Sequence, residues 1–187
     1  PTISQGYYKQ AEKTREAFLE DGFFATGDVG SFDKKGYLKI VGRVKALAKN
    51  AHGEYIAMEA LESVYVQNEL VLPNGICIIV DSHQPFIVAV ALTDEAKAMK
   101  FAKENNIEGS WPSILDDAKF RKAAIASVAK TCKENGKKPF ETPKNVRFYN
   151  HEWTPENGIL TAAMKLKRRE IDAKYGDDIS QMYKESS

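Results

Sequence analysis

The chain has 187 residues, 27 of them basic and 26 acidic, which leaves a formal net charge of +1. At 43% hydrophobic and 28% charged residues it has the balance of a globular protein with a sizeable core, by length either one domain or one domain plus part of another. That balance excludes a membrane-spanning apolar run and a nucleic-acid binder working through its whole surface, while two cysteines, Cys77 and Cys132, exclude a disulfide framework or a zinc site and point to a reducing, intracellular compartment.

The chain opens at Pro1-Thr2-Ile3 with neither Met nor a signal-like segment, and reads as starting in mid-protein. Residues 1–8 read as extended and 11–18 as a short helix, with a turn at Asp21-Gly22. Two short strands, 29–32 and 37–41, are joined by Asp33-Lys34-Lys35-Gly36, a hairpin loop ending in glycine. This strip has too few apolar residues for a core and is expected to lean on something else. Strands follow at 46–50 and 54–56, around the His52-Gly53 turn. Residues 57–67 read as a helix with Met58, Leu61, Val64 and Tyr65 along one face. Residues 76–81 are a continuous apolar strand, expected to be central, and 86–92 are a second; the short turn between them favours an antiparallel pair.

Asp94 is placed to cap a helix running to 105, Trp111-Pro112-Ser113 breaks the chain, and 117–135 reads as a long amphipathic helix ended by Gly136. A strand at 146–149, a loop at 154–158, a segment at 160–165 and a charged helix at 167–175 complete the order. The expected fold is α+β: a small mixed or antiparallel sheet flanked by helices, preceded by a β-hairpin strip.

Several residues carry chemistry, each beside a plainer role. Asp28, in Thr26-Gly27-Asp28, either accepts from a ribose diol or caps its own turn. Arg43, after Gly42, suits phosphate or ribose oxygens, or is a solvated strand end. Lys49 and the Gly53 of the following turn allow close backbone approach, or simply form that turn. Lys165 sits in a short loop after apolar Leu160, from which a lysine reaches an anion. The cations at 167–169 are either a nucleic-acid patch or the solvated start of a helix diluted by Glu170 and Asp172. His52, His83 and His151 lack neighbours at ligand spacing, so no metal site is expected, and no glycine-rich phosphate loop occurs in the chain.

Taken in order, these segments resemble the C-terminal part of an adenylate-forming enzyme, specifically a long-chain fatty acyl-CoA synthetase. The matching stretches are Gly6-Tyr7-Tyr8-Lys9 with Glu12-Lys13-Thr14, then Asp21-Gly22-Phe23-Phe24 running into Thr26-Gly27-Asp28-Val29-Gly30, then 36–43. They continue through Gly53-Glu54-Tyr55-Ile56-Ala57-Met58-Glu59 to Trp153-Thr154-Pro155-Glu156-Asn157 and 160–169. The resemblance implies that 1–43 are the C-terminal edge of a large nucleotide-binding domain, 44–45 a hinge, and 46–187 a mobile lid domain. By position it implies that Asp28 holds the ATP ribose and Arg43 contacts the nucleotide. Lys45 is then the hinge residue, Lys49 faces the site in the thioester step, Gly53 borders the CoA channel, and Lys165 enters for adenylation. Three departures from the family pattern stand out: Ala25 before Thr-Gly-Asp, Ala46 after the hinge lysine, and Ala162-Ala163 upstream of Lys165.

The implied activity is AMP-forming ligation of a fatty acid to CoA, with ATP, fatty acid and CoA as substrates and Mg²⁺ assisting, both ATP and Mg²⁺ held mainly by the large domain outside this chain. The chain alone is expected to be inactive and to bind no nucleic acid. A medium-chain or aryl acid–thiol ligase is the nearer alternative, and a stand-alone nucleic-acid or partner-binding module using 165–169 is the distant one.

Overall fold

The computed structural model describes residues 4–186, so the first three residues of the extended stretch expected at 1–8 lie outside it. The chain divides into two compact units that part between Ala46 and Leu47. The first holds helix α1 (Ala11–Ala17) and an antiparallel hairpin of strands β1 (Asp28–Phe32) and β2 (Leu38–Arg43), followed by one 3-10 turn, Val44–Ala46. The Asp33 carboxylate closes the hairpin loop by accepting the amides of Lys35 at 2.8 Å and Tyr37 at 2.9 Å. Gly36 completes it at φ +82°, the left-handed conformation this loop requires. Asp28 faces Arg43 across the pair, with a bulge between Val29 and Gly30. Phe32, Tyr37, Leu38 and Ile40 all remain exposed.

The second unit opens with a small antiparallel hairpin of β3 (Leu47–Lys49) and β4 (Tyr55–Ala57), and β4 runs directly into α2 (Met58–Tyr65). Its main sheet has the order β5 (Ile76–Ile79), β6 (Val88–Leu92), β7 (Asn145–Tyr149). The β5–β6 pair is antiparallel, as the short turn dictates, and β6–β7 is parallel. A parallel neighbour needs a crossover, supplied by α3 (Glu95–Glu104) and α4 (Ala118–Glu134). Both helices start on aspartate caps: Asp94 accepts the Lys97 amide, and Asp117 those of Lys119 and Phe120.

Side chains alternate across this sheet, and both faces are buried. Ile76, Ile78, Ala89, Ala91, Val146 and Phe148 point into a core shared with α2, α3 and α4. Cys77, Val88, Val90 and Leu92 point the other way, toward α5 (Arg168–Ser186) and the segment carrying Trp153, Ile159 and Leu160. Burial on both faces explains why β5 and β6 read as unbroken apolar runs. The unit is an α+β layer structure, with helices on each side of a mixed sheet. Both cysteines are free and buried. No helix among the described residues is long and apolar enough to cross a membrane.

Two expectations need correction. The last helix does not end at 175 but runs on to Ser186. Gly176-Asp177-Asp178 looks like a stop, yet packing overrides it. Ile179, Met182 and Tyr183 are buried on the sheet, and the buried Arg147 of β7 bonds Asp178 and Glu185 on the helix's second half. The buried stripe of α2 is Met58, Leu61, Glu62 and Tyr65; Val64 lies at its margin, and a carboxylate occupies the stripe instead.

Gly176 is inside a helix, and a Cβ there meets nothing within 4 Å. Gly176→Ala is therefore expected to raise stability in urea unfolding by about 0.5–1 kcal/mol; a loss would show that the helix needs the glycine. Met182→Ala, which empties a fully buried site, is expected to lower stability by about 2–5 kcal/mol, whereas a change near zero would mean that the extension past 175 adds no core.

Candidate functional site

The residues singled out from the sequence fall into three groups. Asp28 and Arg43 are brought together by the β1–β2 register, Asp28 Oδ1 lying 3.4 Å from Arg43 Nε. The turn before them is closed by Thr26, whose hydroxyl accepts the Asp28 amide at 3.1 Å, and the Asp28 carboxylate faces Arg43. An ion pair this exposed is worth less than about 1 kcal/mol, so it costs little to open for a ligand. Lys45 lies exposed in the 3-10 turn that ends the first unit.

Lys49 and Gly53 form the second group, at the β3–β4 hairpin. Gly53 has φ +81°, and a Cβ added there would sit 3.3 Å from Lys49 Cε. The Lys49 ammonium lies 5.6 Å from the Tyr55 ring centroid, across the pair. Asn50, which the sequence reading passed over, builds this turn. Its buried amide oxygen accepts from His52 N at 3.1 Å and Glu54 N at 3.0 Å, while its amide nitrogen donates to Glu54 Oε2 at 2.8 Å and Pro85 O at 3.2 Å. The Ala51 amide adds a bond to Gln84 O at 3.0 Å. An asparagine two residues before a His-Gly pair was the available signal.

Lys165 is the third group. It stands exposed near the tip of a tight hairpin whose stem is an antiparallel bridge between Leu160 and Leu166. Thr161 closes the tip three ways. Its carbonyl accepts the Met164 amide at 2.8 Å, its amide donates to Lys165 O at 2.8 Å, and its hydroxyl accepts the Lys165 amide at 3.1 Å. Ala162 and Ala163 are the central turn residues, and Met164 follows at φ +59°, where such loops favour glycine. Lys167 N to Ile159 O at 2.9 Å completes the stem.

Beside this hairpin lies a cavity of about 400 Å³ lined by Lys165 and Met164, by Glu59, Glu62 and Ser63 of α2, and by Arg168. Arg168 Nη2 donates to both Glu62 oxygens, at 2.8 and 3.0 Å, and Nη1 donates to Ile78 O at 2.9 Å. The Ile78 amide in turn donates to Glu62 Oε1 at 2.8 Å. Burial pushes the Glu62 carboxyl above the usual carboxylate range, against the opposing pull of the Arg168 guanidinium and the Ile78 amide. Burial likewise pushes the neighbouring Cys77 thiol far up, so it is inert as a nucleophile. Arg168 is thus half-buried, and the basic run 167–169 is not one continuous surface patch. Among the described residues, no group of three or more His, Cys, Asp or Glu side chains is placed to hold a metal ion.

Asn50→Ala removes the acceptor of two amides and the tie to Pro85. It is expected to cost about 1–3 kcal/mol in urea unfolding; unchanged stability would mean that backbone bonds alone hold the 50–53 turn.

No protein-family model matches the chain. It is 40% identical over 98% of its length to "Long-chain-fatty-acid--CoA ligase 1" of Saccharomyces cerevisiae, and 36% identical, again over 98%, to "Fatty acyl-CoA synthetase B" of Dictyostelium discoideum. In both cases it spans 27% of the relative, about a quarter of the length of the curated relatives it matches. Among solved structures, the A domain of carboxylic acid reductase from Segniliparus rugosus, in complex with AMP and a co-purified carboxylic acid, superposes with a TM-score of 0.80 at 30% identity, covering 98% of this chain and 27% of that one. Along its whole length the chain is thus similar to a segment, about a quarter, of long-chain fatty acyl-CoA synthetases and of the A domain of carboxylic acid reductase.

Proposed function

We infer that this chain is the C-terminal part of a long-chain fatty acid–CoA ligase. That enzyme joins a fatty carboxylate to ATP as acyl-AMP and then passes the acyl group to CoA. The observation that carries this reading is similarity over 98% of the chain to proteins so named, supported by the exposed place of Lys165 near the tip of a hairpin. In the first half-reaction a carboxylate oxygen attacks the α-phosphorus, and the bond to pyrophosphate breaks. In the second, the CoA thiolate attacks the acyl carbon, and the bond to AMP breaks.

Each candidate residue has a place in that sequence. Asp28 accepts from the ribose hydroxyls, and Arg43, its partner across the hairpin, turns to the nucleotide. Lys165 brings a cation to charge that builds on the transferring phosphoryl group. Lys49 and Gly53, sharing one turn, serve the thioester step, Gly53 leaving room for the thiol-bearing arm beside the Lys49 side chain. Lys45 is the hinge about which the second unit rotates between half-reactions; its place next to the parting of the two units supports this. The exposed Phe32, Tyr37, Leu38 and Ile40 support the reading of the first unit as an edge of a larger domain that covers them. Free, buried cysteines fit a reducing, intracellular setting. Mg²⁺ is implied by the chemistry, but the described residues offer no ligand cluster for it, so no step in this chain is assigned to it.

In the full-length protein, Lys165→Ala is expected to depress fatty-acid-dependent pyrophosphate release on the order of 10²–10³-fold. Conversion of supplied acyl-adenylate to acyl-CoA should stay near the parent rate. Equal loss of both half-reactions would contradict the role of Lys165, and no pyrophosphate release by the parent protein with any fatty acid would contradict the function.

A further inference from the structure

We propose that Glu62 and Arg168 form the positioning pair for Lys165, holding the lysine hairpin on the edge of the sheet; this rests on the adenylation role given to Lys165 above. The buried positions of α2 are 58, 61, 62 and 65, the i, i+3, i+4, i+7 stripe of a core-facing helix. Glu62 therefore occupies an apolar position, and its side chain is only 12% exposed. A carboxylate there needs a cation and hydrogen bonds. Both come from a fixed direction: the amide of Ile78 on edge strand β5, and the guanidinium of Arg168 at the start of α5.

On this edge strand, the N–H and C=O of Ile78 are both taken by side chains, Glu62 accepting from one and Arg168 donating to the other. The pair thereby stands in for a neighbouring strand and closes the edge. Arg168 is three residues beyond Lys165 and one beyond the stem residue Lys167, whose amide bonds Ile159. The other side of the stem is held by Ile159 and Leu160, buried against the opposite face of the sheet. The hairpin is thus clamped at its entry by apolar packing and at its exit by an ion pair, with Lys165 exposed between them. Reaction rate is sensitive to displacements of about 1 Å in a catalytic group, so releasing the exit clamp spreads the position of the ammonium without removing it.

A merely structural pair would weaken both half-reactions alike, whereas a pair acting through Lys165 weakens only the one that uses Lys165. The test has two parts. In the 187-residue chain, amide hydrogen exchange is compared for the parent, Glu62→Gln and Arg168→Lys. Each variant keeps a polar group but loses the charged or two-pronged contact. The amides of Met164, Lys165 and Lys167 are expected to exchange about tenfold faster or more in both variants, with those of 88–92 unchanged. In the full-length protein, the same variants are expected to lower pyrophosphate release about tenfold and to leave acyl-adenylate conversion within about twofold. Unchanged exchange in the hairpin, or equal loss of the two half-reactions, would overturn the proposal. Absence of pyrophosphate release by the parent would instead refute the function, and with it the role of Lys165, whatever the exchange rates show.

Discussion

A carboxylate on the buried stripe of a helix constrains everything around it. Glu62 ties α2 to the backbone of β5 and to the first residue of α5, so three elements distant in sequence meet at one ion pair. Removing one partner from a pair buried to this degree costs on the order of 3–5 kcal/mol, because the other is left uncompensated. A hydrophobic residue at position 62 would satisfy the core equally well but would leave the Ile78 edge and the Arg168 side chain without partners. The pair buys orientation: it fixes where α5 begins, and hence where the hairpin before α5 projects.

The same constraint changes how the basic run near residue 168 is read. In the sequence, Lys167, Arg168 and Arg169 look like one cluster of cations, better suited to a solvated helix start than to nucleic acid because Glu170 and Asp172 dilute it, with Lys165 just before it. In the fold they have different fates. Arg168 is turned inward onto Glu62 and Ile78, and Lys165 is lifted on the hairpin tip. Arg168 therefore adds little to a surface patch with exposed Lys167 and Arg169, and Lys165 stands apart on its braced hairpin.

Much of the fold was legible because burial writes itself into local pattern. The runs at 76–79 and 88–92 are apolar at every position, as strands covered on both faces must be, and Asp94 and Asp117 mark helix starts through the amides they accept. The parallel pairing of β6 and β7 was not legible, since it depends on how a crossover of more than fifty residues packs, a long-range property. The second half of α5 was obscured by Gly176-Asp177-Asp178, whose local preference is beaten by Met182, Tyr183 and the reach of Arg147. Of the candidate site, Asp28 and Arg43 were visible as residues, but their pairing follows from a register with a bulge in it. Asn50, Glu62 and Thr161 were missed because each serves the backbone. Glu62 left its trace as a charge at an apolar position in the 58, 61, 62, 65 stripe, and Asn50 as an asparagine shortly before His52-Gly53.

The division of labour along the chain then follows from its mechanics. Groups proposed to bind nucleotide sit on a hairpin with little core of its own, whereas the lysine proposed to act on the phosphoryl centre is braced by buried Ile159 and Leu160 and by the Glu62–Arg168 pair. The most direct measurement is a double-mutant cycle on adenylation in the full-length protein, combining Glu62→Gln with Lys165→Ala. If Glu62 acts through Lys165, its substitution costs about tenfold in the parent and less than about twofold once Lys165 is gone. If the two losses simply multiply, the pair is structural only, and the hairpin does not depend on it to place the lysine.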